Sequence, residues 1–178
     1  SEALRAGGAE LLPGAREVLE ALRARGVRTA IASNCGARYL EAMLAGLGLG
    51  ALVDAARCLD SPGVATKTDM LRQLLELFGT RSAVMVGDRW TDAQAAHANG
   101  LPHVHLERGF APSGERVECE ARLAGLDGLL ARLDGRHRWI EAALVELGAL
   151  GPGQAAAAVG SVAITGGELS GKTLFARD

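Results

Sequence analysis

The chain has 178 residues, with 19 basic and 21 acidic side chains giving a net charge of -2, and 48% apolar residues, very few of them aromatic. So balanced a charge supplies no field to gather DNA, RNA or an anionic membrane, which argues against nucleic-acid and membrane partners. The length accommodates one substantial core and at most the beginning of a second unit.

Cys35, Cys58 and Cys119 are too widely spaced for a zinc finger and odd in number for a disulfide framework. With no long apolar run at the N-terminus, they point to a soluble protein in a reducing cytoplasm.

Pro13 opens a helical pattern through Val18, Leu19 and Leu22 that Gly26 closes, and Val27 to Ala32 reads as a strand with Ser33 and Asn34 at its end. Gly36 to Gly46 fits a second helix. Leu52-Val53 marks a short strand, and Asp60-Ser61-Pro62-Gly63 a turn. From Thr66 the apolar positions Met70, Leu71, Leu74, Leu75 and Phe78 recur at helical spacing until Gly79.

Ser82 to Val86 is an apolar strand, Thr91 to Asn99 an alanine-rich helix ended by Gly100, and Leu101 to Leu106 another strand. Ala121 to Leu133 predicts a further helix, Arg138 to Leu147 an amphipathic one, and Gly148 to Gly160 a linker. Ser161 to Thr165 is a last apolar strand running into a glycine-rich loop. The alternation of strands and helices with short connections predicts an α/β fold whose parallel sheet is covered on both faces, with functional residues at the carboxyl ends of its strands.

Four residues fall at that edge. Asp88 follows a strand ending in Gly87 and is the candidate magnesium ligand, with Asp92 behind it as a supporting acid that could pair with Lys67. Ser33 offers a hydroxyl, and the backbone after it, beginning at Asn34, offers amides for phosphate oxygens. Lys67 opens a helix where an ammonium would offset charge on a transferred phosphoryl group. Taken singly, Ser33 could cap a helix, Lys67 could be solvated and Asp92 could be an ordinary first-turn acid. Trp90, between the two aspartates, could border the entrance, whereas His97, His103 and His105 lack metal-ligand spacing and read as solvent-exposed.

In order and spacing, Leu12-Pro13-Gly14-Ala15, Ile31-Ala32-Ser33-Asn34, Lys67, Val86-Gly87-Asp88 through Asp92 and Gly100-Leu101-Pro102 resemble the haloacid dehalogenase-like hydrolase superfamily. The resemblance runs from about residue 12 to 133. It implies a three-layer Rossmann-like parallel sheet, with Ser33 and Asn34 on the substrate phosphate, Lys67 stabilising a phosphoaspartate, Asp88 holding magnesium, and Asp92 in support. The family's first motif, a strand followed by Asp-x-Asp, should precede Pro13, yet residues 1–12 contain no aspartate. The sheet is therefore expected to be incomplete or rearranged at its first strand, and the chain to be inactive by itself because the nucleophile is missing. No large cap insertion marks the substrate, expected to be a small phosphorylated metabolite reached through an open site or one covered by another domain or subunit.

Gly166-x4-Gly171-Lys172-Thr173 fulfils the phosphate-loop pattern after an apolar strand and resembles the opening of a P-loop kinase. That resemblance implies ATP as a ligand, with Gly166, Gly171 and Lys172 at its phosphates and Thr173 at magnesium. The expected organisation is a phosphatase-like core at 1–135, a helix and linker at 136–160, and at 161–178 either a truncated kinase-like unit or a strand completing the core sheet. In the latter arrangement Glu168 and Ser170 would stand near the family's two aspartates. Three functions compete: a magnesium-dependent phosphomonoesterase domain, a noncatalytic phosphate-binding or structural module, and part of a bifunctional phosphatase and nucleotide kinase.

Overall fold

Side chains of successive strand residues point to opposite faces, so a strand buried on both sides needs apolar residues at odd and even positions alike. The strands Arg28–Ser33 (β1) and Ala83–Gly87 (β3) meet that requirement, and both are buried almost throughout. In the computed structural model, which describes residues 11–108 and 114–134 and the backbone of 161–165 and 174–176, they form the middle of a single sheet.

The chain order is helix Ala15–Ala24 (α1), β1, helix Ala37–Gly46 (α2), strand Ala55–Cys58 (β2), helix Lys67–Phe78 (α3), β3, helix Trp90–Ala98 (α4) and strand His103–Leu106 (β4). Strand Ala121–Leu123 (β5), helix Leu129–Asp134 (α5), and strands Ser161–Thr165 (β6) and Leu174–Ala176 (β7) follow. The seven strands lie in the order β2-β1-β6-β7-β3-β4-β5. Parallel pairing joins β1 to β2, β3 to β4 and β4 to β5. β6 runs parallel to both β1 and β3, with Ile31 opposite Ile164 and Met85 opposite Ala163. β7 is antiparallel to the same two strands, nearer their amino ends. The expected α/β sheet is thus present, and the apolar segment before the glycine-rich loop joins it instead of opening a second sheet.

Each face is covered by helices. Ile31, Val84, Val86, Val104 and Leu106 pack with Val18, Leu19 and Leu22 of α1, Leu40 and Met43 of α2, and Leu129 and Leu133 of α5. The alternate positions Ala30, Ala32, Ala83 and Met85 pack with Met70, Leu71, Leu74 and Phe78 of α3 and Ala95 and Ala96 of α4. These are the two outer layers of a three-layer Rossmann-like fold.

Two expected elements differ. Leu52 and Val53 belong to a turn whose amides bond to Leu49, and the strand starts three residues later, at Ala55. The single helix expected over Ala121 to Leu133 is instead β5, a 3-10 turn at Leu126–Gly128 and α5. Gly125 in extended conformation breaks the helical path, and Ala121 to Leu123 finds a ladder partner in β4. The expected helix over 138–147, the linker, and the residues of the glycine-rich loop from Gly166 to Thr173 lie outside the described residues. Among the described residues no helix is long and apolar enough to cross a membrane.

Candidate active site at the carboxyl edge

α3 begins where Thr66 adopts an extended backbone and caps it. Its hydroxyl accepts from the Asp69 amide, while Asp69 Oδ2 accepts from the Thr66 amide at 3.0 Å. Lys67 is therefore the first residue of the helix. A cation there opposes the helix dipole, and burial adds a desolvation cost, so local stability does not explain its position. Lys67 is nonetheless 5% exposed. Its Nζ donates to Asp92 Oδ1 at 2.6 Å, in an ion pair whose carboxylate is fully enclosed.

Asp92 stands in the first turn of α4, three residues past the Arg89 cap. Its second oxygen accepts from the backbone amides of Asp88 and Arg89, each at 3.1 Å. One carboxylate thus ties the turn after β3 to the lysine of α3. The tie needs a glycine at 87: a Cβ there would lie 2.6 Å from Asp92 Cγ and 2.7 Å from its Cβ, closer than any side chain permits.

Asp88, 1% exposed, follows β3 directly, and Ser33, 6% exposed, ends β1. The register of β1 and β3 on β6 puts both at the same edge, two strand spacings apart, about 10 Å. The structure thus brings Lys67, Asp92 and the Asp88 turn into direct contact and sets Ser33 and the exposed Asn34 across one strand from them. Ser33 does not cap α2; Gly36 does, without a side-chain bond, and Asp60 Oδ2 takes the Ala37 amide at 2.7 Å. Trp90, two residues past Asp88, is 47% exposed.

Among the described residues no three of His, Cys, Asp and Glu gather closely enough to hold a metal ion. Asp88 fits the part of one carboxylate in a magnesium site of the kind completed by phosphate and water.

His97 is exposed as expected, whereas His103 and His105 differ from expectation. His103 and His105 alternate on β4 with Val104 and Leu106, which face the α1 layer, so the two rings turn inward toward α4 and are buried. Neither ring nitrogen of His103 has a hydrogen-bond partner among the described residues. Burial pushes its pKa down to about 3, against an opposing pull from Asp92. His105 is lowered too, again chiefly by burial. His97 pairs with Glu120 at 3.0 Å.

The sequence reading missed Glu115. Its carboxylate accepts from Arg89 Nε at 3.1 Å and from the Trp90 amide at 2.7 Å, bracing the turn from outside. An acid in an irregular loop far along the chain carries no periodic signal, and only the fold reveals this pairing.

Comparison with known proteins agrees with this fold. A phosphoglycolate phosphatase from Rhodospirillum rubrum is 38% identical over 128 residues, covering 67% of this chain and 50% of that protein. The structure of a predicted phosphoglycolate phosphatase from Haemophilus somnus shares 24% identity at a TM-score of 0.62, over 68% of this chain and 56% of that one. A predicted phosphatase from Clostridium acetobutylicum shares 25% identity at a TM-score of 0.61, over 68% and 58%. The chain therefore spans a little over half the length of these relatives, or less. The kinase resemblance of residues 161–178 draws no support from these matches. Residues 2–100 match the haloacid dehalogenase-like hydrolases, and the chain belongs to that family.

Proposed function

We infer that this chain is the phosphoryl-transfer core of a magnesium-dependent phosphomonoester hydrolase that acts on a small phosphorylated metabolite. The observation that carries the reading is the buried Lys67–Asp92 pair, bonded through Asp92 to the turn that carries Asp88. A lysine placed against its helix dipole and enclosed with one carboxylate gains little stability, but it sets a fixed positive charge where a phosphoryl group would accumulate negative charge.

In this reading Ser33 Oγ and the backbone beginning at Asn34 donate to phosphate oxygens, and Lys67, held by Asp92, neutralises the transferring group. Asp88 is the carboxylate that would hold magnesium, and the ion would supply further charge neutralisation at the phosphate. A nucleophilic aspartate of the complete protein attacks phosphorus, the ester P–O bond breaks and the alcohol departs. Water then releases phosphate from the resulting phosphoaspartate. The names of the relatives make 2-phosphoglycolate the first substrate to test.

Phosphate release by the complete protein from a panel of phosphomonoesters is the test. Release abolished by chelation, restored by magnesium and lost in Asp88→Asn is expected. Release indifferent to both treatments would reject the assignment.

A second reading, a noncatalytic phosphate-binding module, applies to these 178 residues alone. The observation on its side is that, among the described residues, no three of His, Cys, Asp and Glu gather closely enough to hold a metal ion. Saturable phosphate binding without turnover supports it, and robust turnover by this chain excludes it.

A further inference from the structure

Three consecutive backbone amides in the turn after β3 donate to carboxylates. Those of Asp88 and Arg89 go to Asp92 Oδ2, and that of Trp90 goes to Glu115 Oε1 at 2.7 Å. The other Glu115 oxygen holds Arg89 Nε at 3.1 Å. Asp92 lies in the first turn of α4, so its bonds fix the local shape of the turn and link it to α3. Glu115 comes from the segment between β4 and β5 and reaches the turn across more than twenty residues of chain.

Its side chain is 11% exposed against 32% for Arg89, and both of its bonds are charge-assisted. Trp90, by contrast, is 47% exposed, so burial of its ring does little to fix the start of α4. Among the described residues the polar clamp restrains the turn from outside.

We propose that Glu115 is a positioning residue for the reaction. It fixes the Asp88-Arg89-Trp90 turn from outside, and with it the place from which Asp88 would reach a divalent cation. The inference rests on the proposed role of Asp88.

The test uses the full chain with Mn2+ as probe, read by paramagnetic broadening of the amide signals of residues 87–90, with thermal stability and amide exchange measured on the same samples. Saturable broadening is expected in the parent chain and its loss in Asp88→Asn. Glu115→Ala should weaken the apparent Mn2+ affinity about 10-fold, the size typical of a lost partner behind a metal ligand. Glu115→Gln keeps an acceptor for the Trp90 amide and should recover most of that loss. Unchanged affinity in Glu115→Ala overturns the proposal, as does an equal loss in both variants that merely tracks a fall in stability. If Asp88→Asn leaves the broadening intact, it is the cation role of Asp88 that fails. The clamp is then judged by exchange: a Trp90 amide exchanging about 10-fold faster or more in Glu115→Ala supports it, and unchanged exchange overturns it.

Discussion

At Gly87 a side chain and the backbone come so close that one added carbon decides the geometry. A Cβ would press into Asp92 at 2.6 and 2.7 Å, and Asp92 cannot retreat without releasing Lys67 and the Asp88 amide. Gly87→Ala is therefore expected to cost about 1–3 kcal/mol, the range for a forced overpacking, as read by urea unfolding. The ion pair itself is more sensitive. Asp92→Asn strands a buried ammonium and should cost about 3–5 kcal/mol, whereas adding Lys67→Met to it should restore part of the loss, because the unpaired charge goes with the lysine. His103 gives the chain an acid sensitivity with a definite sign. Its folded pKa of about 3 lies below the ordinary 6.5, so above 6.5 both folded and unfolded forms are neutral and its contribution is complete. Below 6.5 the unfolded chain takes up the proton first, and stability falls as pH drops toward 3. Replacing it, as in His103→Leu, should flatten that part of a stability-against-pH curve, and an identical slope in the variant would contradict the burial argument.

At the scale of elements, the start of α3 depends on its capping box. Thr66→Ala removes the hydroxyl that accepts from Asp69 and should cost about 0.5–2 kcal/mol by chemical denaturation, with Lys67 shifting as the first turn frays. Caps and periodic apolar runs are what made the helices legible: Met70, Leu71, Leu74 and Phe78 repeat at helical spacing, and Gly79 stops the helix at a φ of 62°. Short strands were less legible. Ala55–Cys58 shows no alternation a reader could use, and Ala121–Leu123 looks helical until β4 supplies its partner. The same limit explains the histidines. His103 and His105 read as polar residues suited to solvent, but β4 is a four-residue strand buried throughout between β3 and β5. The candidate site was readable for a different reason: Ser33, Lys67, Asp88 and Asp92 sit next to strand ends or helix starts that the pattern located within a residue or two. Glu115 sits next to none.

Across the whole molecule, one seven-stranded sheet sets the positions of the candidate site residues. β1 and β3 are buried on both faces, and each has a neighbour on its outer side, β2 and β4 respectively. Their inner edges need ladder partners, and β6 and β7 provide them. This arrangement sets Ser33 and Asp88 at a common edge with one strand between them, and Lys67 and Asp92 bonded beside the latter, the placement that the proposed phosphoryl transfer uses. The fixed charge of Lys67 is the part of this account on which the others depend. Magnesium-dependent phosphate release from 2-phosphoglycolate should therefore be compared in the complete protein and its Lys67→Met variant, with folding checked in both. The account predicts a fall in kcat of about 100- to 1,000-fold in a folded variant, the usual effect of removing one preorganised transition-state donor. Undiminished turnover by folded Lys67→Met would contradict it.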